Sequence, residues 1–236
     1  DLSISSILLS ENLTLCYCTL NGQNRPAGGS VPMQSTIYLV RHGRPELPDD
    51  EMRFLGWADL PLSDEGRWQA AAAARALSGA RFDRVVHSGL SRARETAEII
   101  AASTDAPFEE VAGLREISFG EWELRSIGEF AESEPELFAE RGADFAGFRP
   151  PGGENFLDLR ERAWPAFLGL LGREPGNLLI VAHAGVIKTI IYAILGIPLQ
   201  KLFSVRLDYC GIQVISRMDG HLTLTRLNWT ESLEAD

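Results

Sequence analysis

The sequence predicts an α/β fold, a three-layer αβα sandwich around a mostly parallel β-sheet with an antiparallel edge. From residue 36 onward, short continuous apolar runs alternate with segments of helical spacing. Such runs are typical of strands that are covered on both faces. Near the C-terminus, two alternating runs flank an Asp-Gly pair, which indicates an antiparallel hairpin. The 236 residues suffice for one such domain with an appendage.

The first half of the domain provides three strands and two helices. The run "TIYLV" at residues 36–40 is the first predicted strand. The Ala-rich segment 63–79 is a helix, because Ser63 can cap it, acidic residues follow in its first turn, and Gly79 lies beyond its end. The strand "FDRVVHS" then leads into the helix "SRARETAEIIAAS", and "PFEEV" is a third, short strand.

The second half continues the alternation. A long helix is predicted over residues 154–173, with a kink or break at Pro165. The buried strand "NLLIVA" precedes the helix "VIKTIIYAILG", and the hairpin turns at Asp219-Gly220. We expect Arg125, Phe130 and residues 144–153 to form a lid and leaving-group pocket, with core packing as the alternative for the aromatic residues.

Residues 1–34 differ from the rest of the chain. They lack a clean period and end in a stretch rich in Pro, Gly and Ser, which is typical of a linker. We therefore expect a poorly ordered N-terminal extension over 1–34 and the functional domain over 35–236. The sequence shows neither a signal-peptide pattern nor an apolar run of the ~18 residues that a membrane helix needs. A cytoplasmic location without membrane association is the expectation.

The net charge and the cysteine content restrict the range of possible functions and locations. The formal net charge is −11, which argues against binding of nucleic acid or of anionic membranes. It leaves open a small anionic substrate, because Arg side chains can cluster locally on an acidic protein. Three cysteines make no disulfide framework and fit a reducing compartment, and Cys16-x-Cys18 alone is weak evidence for a metal. Nothing indicates a particular protein partner, so a monomer or a homodimer is expected.

Polar residues collect where the predicted strands end. Arg41 and His42 follow the first strand, His87 ends the second with Arg92 in the next helix, and His183 follows "NLLIVA". Ligands of open α/β sheets bind outside the carboxyl ends of the strands. Each His alone could be an ordinary buried polar residue, but three of the four His in the chain fall at this one rim. The sequence therefore predicts a functional site there.

The residue types indicate the ligand. Arg presents a planar fork that matches phosphate oxygens, so Arg and His together suit a phosphoryl group. A His in such a site can bind a metal or attack phosphorus. Metal hydrolases usually supply several carboxylates, whereas Arg and Gly flank the His residues here and oppose a cation. A nucleophilic His that forms a covalent phosphohistidine is therefore favoured.

Five blocks resemble one family. They are "LVRHG", "GWADLPLSDEGRWQA", "FDRVVHSGLSRARETAEII", "LREISFGEWE" and "VAHAGVIK", and the likeness spans about residues 36–229. The chain is similar to the histidine phosphatase superfamily, the phosphoglycerate mutase-like proteins. The resemblance implies the phosphoglycerate mutase-like fold and hydrolysis of a small phosphorylated metabolite, without a metal or an organic cofactor.

The resemblance also implies residue roles. His42 is similar to the phosphorylated nucleophile, and His183 to the second His that contacts the phosphoryl oxygens. Arg41 and Arg92 look like the phosphate clamps. Glu116 looks like the proton donor to the leaving alcohol; without the resemblance, Glu121 and Glu123 are equally good candidates.

The sequence departs from the family pattern beside the nucleophile. Gly43 keeps the family's place after His42, where it lets the backbone turn away closely. Arg44 stands where the family often has a different residue, and it either adds positive charge for substrate binding or faces solvent. His87 replaces a residue that is often small, and its role stays open.

The resemblance leaves alternatives for the reaction. Mutases of this family carry a longer insertion before the second His, so the short stretch 117–182 favours a phosphatase over a mutase. The C-terminal segment and "FGEWE" resemble the alpha-ribazole phosphatase branch, which acts in cobalamin biosynthesis. Two alternatives belong to other functional classes: a non-catalytic phosphate-binding regulator and a protein-interaction module. The presence of both His42 and Glu116 argues against the regulator.

Overall fold

A seven-stranded β-sheet forms the middle layer. The computed structural model describes residues 15–19, 34–173 and 176–231. In these residues the strands are β1 Leu15–Thr19, β2 Gln34–Arg41, β3 Arg84–His87, β4 Phe108–Glu110, β5 Leu178–Ala182, β6 Ile212–Met218 and β7 His221–Trp229. The order across the sheet is β1-β7-β6-β2-β5-β3-β4.

Strand directions follow the prediction. Strands β2, β5, β3 and β4 are parallel neighbours. Strand β6 runs antiparallel to β2 and forms a hairpin with β7, while β1 pairs antiparallel with β7. Asp219 and Gly220 both have positive φ, 49° and 82°, as the predicted tight turn requires. A parallel sheet with an antiparallel edge is thus confirmed.

Helices cover both faces of the sheet. They are α1 Asp64–Ala76, α2 Ser91–Ile100, α3 Ile127–Ser133, α4 Pro135–Ala143, α5 Phe156–Leu171 and α6 Ala184–Leu195. Small Ala residues of α1 and α2 pack on one face of the sheet, and large apolar residues of α5 and α6 pack on the other. Since Leu39 and Val40 point to opposite faces of β2, the continuous apolar run serves both layers.

Local sequence signals set several helix ends. The Ser63 hydroxyl accepts the N–H of Gly66, which caps α1 as expected. Gly196 ends α6 in the left-handed region at φ 65°. Helix α5 runs through Pro165, so of the expected kink or break the break is wrong and the kink stays a prediction. The capping box of Asn155 and Asp158 fixes the start of this helix instead.

The segment predicted to form a lid, here called the lid, comprises α3, α4 and residues 144–153. Its core is an aromatic cluster in which the Phe130 ring lies 4.3 Å from that of Trp122 and 5.5 Å from that of Phe54. Phe130 is fully buried, and Arg125 stacks on it and pairs with Glu134. Phe130 is therefore a core residue, the alternative for the aromatic positions, and the lid and leaving-group pocket stay a prediction.

The predicted extension over residues 1–34 falls mostly outside the described residues. Within it, Leu15–Thr19 form β1 at the edge of the sheet, and Gln34 already belongs to β2. In the part of the chain that the structure describes, no helix is both long enough and apolar enough to cross a membrane.

Candidate active site

The register of three strands brings the predicted site together. Arg41 of β2 pairs with Ala182 of β5, and His87 of β3 pairs with Val181. The residue that follows each strand therefore lies at the same edge of the sheet: His42 after β2, His183 after β5 and Ser88 after β3. The N–H of His42 donates to the carbonyl of Ala182 at 3.0 Å, which extends the ladder to the site.

His42 is held as a neutral imidazole, the state that the predicted nucleophile requires. Its Nδ1–H donates to the carbonyl of Gly43 at 2.7 Å, which leaves the lone pair of Nε2 for attack. Burial lowers the pKa of His42 well below its ordinary value, and the charges of Arg92 and Arg41 lower it further. The imidazole therefore stays unprotonated at neutral pH, as a nucleophile must.

His183 lies beside it, with ring centroids 4.9 Å apart. Burial and the charges of Arg92 and Arg41 lower the pKa of His183 well below its ordinary value. Its Nε2 shares a 2.7 Å hydrogen bond with the Ser88 hydroxyl, whose oxygen also accepts the N–H of Leu90. The hydroxyl can give its proton to Nε2 or accept one from it. When the hydroxyl donates, the ring proton lies on Nδ1, which has no other partner among the described residues and is available to an oxyanion.

Arg92 is the largest fully buried side chain of the described residues. Its two terminal nitrogens donate to the carbonyls of Ala58 and Gly56, at 2.8 and 2.6 Å. Burial lowers its pKa, while the nearby Glu116 raises it. The guanidinium is therefore fixed in direction by the loop of residues 56–58.

The Arg41 guanidinium is held by a different set of contacts from that of Arg92. Its Nη1 donates to the carbonyl of Leu207 at 2.7 Å, and its guanidinium carbon lies over the Tyr209 ring, 3.9 Å from the centroid. Stacking leaves the in-plane N–H groups free for a ligand. Nε of Arg41, Nε of Arg92 and Nδ1 of His183 are buried and have no hydrogen-bond partner among the described residues. An oxyanion supplies the acceptors that such donors need.

Glu116 differs in burial and in hydrogen bonding from the other two candidate acids, Glu121 and Glu123. It is buried, and its carboxylate accepts the N–H groups of Ile117 and Gly185, at 2.9 and 3.0 Å. Glu121 is exposed. Glu123 accepts four backbone N–H groups at 2.8–3.1 Å and so is committed to holding the loops. Of the three carboxyl groups, only Glu116 accepts a described hydrogen bond from the first turn of α6, which begins directly after His183.

Arg44 and His87, whose roles the sequence left open, form hydrogen bonds with neighbouring protein groups. The Arg44 guanidinium donates to Glu65 and Asp50 at 2.7 and 2.6 Å. These two carboxylates share its charge, and a role of Arg44 in substrate binding stays a prediction. The Nδ1 of His87 accepts the N–H of Gly89 at 3.1 Å, and its pKa is lowered by burial.

Gly43 is required by packing. A Cβ atom there would lie 2.4 Å from the backbone oxygen of Gly66 in α1, so only glycine fits. Its N–H donates to the Thr96 hydroxyl at 3.0 Å, and its carbonyl orients His42. It acts on the nucleophile through the backbone.

Further residues escaped the sequence-based prediction. Ser88 follows His87 at a strand end, so the rule that selected His87 could have selected it. Tyr209, which flanks both Arg41 and His42, reaches the site from the segment before the C-terminal hairpin, and no local signal marks it. Arg162 and Trp57 donate to the carbonyl of Glu116, each at 2.7 Å, and position the acid from outside the site.

Transfer of a phosphoryl group by way of histidine is the chemistry that this fold and site define. A neutral imidazole is aimed by its own backbone, two fixed guanidinium groups lie beside it, and a buried carboxyl group is available for proton transfer. Comparison with known proteins agrees. The model of the histidine phosphatase superfamily (branch 1) matches residues 37–230, and the chain belongs to this family.

Individual relatives fall in the same family. The chain is 33% identical over 194 residues to the adenosylcobalamin/alpha-ribazole phosphatase of Salmonella typhimurium, covering 81% of this chain and 95% of that protein. A probable phosphoglycerate mutase of Escherichia fergusonii is 33% identical over 184 residues, 78% of this chain and 84% of that protein. The crystal structure of a putative alpha-ribazole-5'-P phosphatase from Escherichia coli superposes with a TM-score of 0.76 at 28% identity, covering 85% of this chain and 99% of that one. The chain is a phosphatase of small phosphorylated metabolites.

Proposed function

We propose that His42, Glu116 and His183 carry out phosphomonoester hydrolysis in two steps. The His42 Nε2 attacks phosphorus, the bond from phosphorus to the alcohol oxygen breaks, and Glu116 gives that oxygen its proton. Water then attacks the phosphohistidine, Glu116 takes a proton from it, and inorganic phosphate leaves with His42 restored. Arg41, Arg92 and the Nδ1–H of His183 stabilise the transferring oxygens.

The observation that carries this proposal is the orientation of His42. The Gly43 carbonyl fixes the proton on Nδ1, and burial with two adjacent guanidinium groups keeps the ring neutral. A site that only bound phosphate would gain from a charged imidazolium, which attracts the anion more strongly. The geometry therefore supports catalysis over the non-catalytic regulator.

The proposed substrate is alpha-ribazole 5'-phosphate. Two relatives with this activity in their names, one by sequence and one by structure, align over most of the chain. The short stretch between Glu116 and His183 supports a phosphatase rather than a phosphoglycerate mutase, which is the second candidate because of the related probable mutase.

The test is release of phosphate, with a chelator present, from alpha-ribazole 5'-phosphate, 3-phosphoglycerate, nucleotides and p-nitrophenyl phosphate. The expected result is turnover that the chelator leaves intact, with the highest kcat/KM for alpha-ribazole 5'-phosphate. His42→Ala should remove turnover on every substrate, and phosphate transferred from a labelled substrate should no longer become bound to the protein. Wild-type turnover by His42→Ala refutes the mechanism, and broad weak turnover by the unchanged enzyme refutes only the substrate.

Domain organisation and location complete the proposal. Residues 35–236 are proposed as the catalytic domain, which the family match over residues 37–230 supports, and residues 1–34 as an extension. The odd and sparse cysteine content supports a cytoplasmic location. Buried Cys210, whose pKa burial raises to about 12, has the character of an inert structural thiol. A monomer or homodimer is proposed.

A further inference from the structure

The Arg41 side chain takes its contacts from one short segment, residues 207–211, which precedes β6. The carbonyl of Leu207 accepts Nη1 of Arg41 at 2.7 Å, and the Tyr209 ring centroid lies 3.9 Å from the guanidinium carbon. Nε of Arg41 is buried and has no hydrogen-bond partner among the described residues. A shift of the segment would therefore displace the guanidinium.

The same segment supports the backbone beside the proposed nucleophile. The Cys210 N–H donates to the carbonyls of Arg41 and His42, at 3.1 and 3.3 Å, and the Arg41 N–H donates to the carbonyl of Gly211 at 3.2 Å. Cys210 has a positive φ of 54°, which is uncommon for a residue other than glycine. Such a conformation persists only where the surrounding structure holds it, so the segment needs an anchor outside itself.

Asn228 of β7 is such an anchor. Its Oδ1 accepts the Asp208 N–H and its Nδ2 donates to the Asp208 carboxylate, both at 2.8 Å. A Cβ atom at Gly211 would overlap Oδ1 of Asn228, so the amide also packs closely on the other end of the segment. One side chain thus contacts the segment on both sides of Tyr209.

Asn228 lies at an irregularity of its strand. Between the pair of Ile212 with Trp229 and the pair of Val214 with Arg226, β7 has one residue more than β6. Such a β-bulge interrupts the alternation of the strand and re-aims a side chain. Asn228 has a φ of 51°, a conformation that Asn and Asp adopt more readily than other residues with side chains. Its amide also supplies both an acceptor and a donor, as the two hydrogen bonds require.

We propose that Asn228 is a positioning residue for phosphoryl transfer, which acts through the segment 207–211 on the Arg41 guanidinium. The inference rests on the proposed hydrolysis at His42, in which Arg41 stabilises the transferring oxygens. Loss of Asn228 should slow all phosphate monoesters alike, because they share the phosphoryl group that Arg41 binds. Loss of a proton donor instead spares the substrates with good leaving groups.

Asn228→Asp tests this role, because it keeps the acceptor for the Asp208 N–H and replaces the Nδ2 donor by an oxygen. Although burial opposes it, hydrogen bonds with Asn228 and Arg206 hold the pKa of Asp208 below its ordinary value, so this carboxylate is ionised at neutral pH. Two carboxylates then repel each other where a hydrogen bond joined the two side chains. We expect kcat/KM to fall about tenfold, the scale of one charge-assisted hydrogen bond, on p-nitrophenyl phosphate and on glycerol 3-phosphate alike.

A rescue variant and a matched control accompany this measurement. The double variant Asn228→Asp, Asp208→Asn again places one amide opposite one carboxylate, and it should regain most of the lost kcat/KM. Asn177→Asp is the control, because this half-buried Asn also accepts a backbone N–H, that of Thr36, and donates to a carbonyl, that of Arg81. It lies at the N-terminal end of β5, away from the site, and should lower the Tm without lowering kcat/KM.

A double-mutant cycle with Arg41 separates positioning from general damage to the fold. In an Arg41→Gln background, Asn228→Asp should lower the remaining kcat/KM by less than about twofold, because the guanidinium that it displaces is absent. Asn228→Gly, which allows the positive φ and removes both hydrogen bonds, serves the same comparison if Asn228→Asp does not fold. An undiminished further loss in that background, a loss on glycerol 3-phosphate alone, or no loss at all overturns the role of Asn228. Failure of the unchanged enzyme to hydrolyse p-nitrophenyl phosphate overturns the proposed function instead.

Discussion

Gly185→Ala should displace the proton donor without unfolding the protein. A Cβ atom at this position would lie 2.4 Å from Oε1 of Glu116 and 3.3 Å from a carbon of the Phe156 ring. The carboxylate must therefore withdraw by about 1 Å to reach ordinary contact distance. Because Oε1 is the end of a flexible side chain, a rotation about its bonds accommodates the methyl group. The backbone of α6 need not move.

Displacement of the Glu116 carboxylate should lower kcat. A misplacement of about 1 Å costs on the order of 100-fold in rate, and a general acid contributes roughly 10² to 10⁴-fold. We expect kcat on an alkyl phosphate such as glycerol 3-phosphate to fall by about 100-fold. On p-nitrophenyl phosphate the loss should stay below about tenfold, because nitrophenolate leaves without a proton.

Steady-state kinetics on both substrates, with thermal unfolding of the same preparations, checks this expectation. Gly169→Ala in α5 is the matched control, because no other group lies within 4 Å of the added methyl. It should keep both rates and raise the Tm slightly, since Ala is the better helix former. Equal losses of Gly185→Ala on the two substrates would show that Glu116 is not the proton donor.

Two further predictions follow from the site. Glu116→Gln, which keeps the shape but cannot transfer a proton, should slow glycerol 3-phosphate at least tenfold more than p-nitrophenyl phosphate; an equal loss in their kcat values would contradict it. His42 and His183 are buried and neutral, with pKa values below those of the unfolded chain, so the unfolded state binds more protons below about pH 6.5. The free energy of unfolding in urea should therefore fall on acidification, with a shallower slope in His183→Asn; identical slopes would count against a buried neutral His183.

The parts of the site at strand ends could be predicted from the sequence. Arg41, His42 and His183 follow apolar runs, and parallel strands deliver their carboxyl ends to one edge, so local pattern and one topological rule were enough. The ion pairs of Arg44 could not be predicted. Its partners Asp50 and Glu65 belong to a loop and a helix, and no local sequence pattern shows that they lie close to Arg44.

The lid was the least predictable part of the fold. Helices α3 and α4 have only seven and nine residues, which is shorter than the window over which a helical period can be recognised, and α4 buries none of its residues. Tyr209 reaches Arg41 and His42 through tertiary packing alone. Its contribution depends on contacts between segments that are distant in sequence, which periodicity does not report.

The segment that carries Glu116 also holds Arg92, the proposed phosphate clamp, in place. Glu123, seven residues on, binds the N–H groups of the loop 56–58, and the carbonyls of that loop bind the Arg92 guanidinium. The Trp57 indole of the same loop donates to the carbonyl of Glu116. Acid and clamp are thus parts of one hydrogen-bonded unit, and a shift of either displaces the other. Because proton donation must coincide with charge stabilisation at phosphorus, such coupling explains why one sequence block, "LREISFGEWE", holds both the acid and the structural carboxylate.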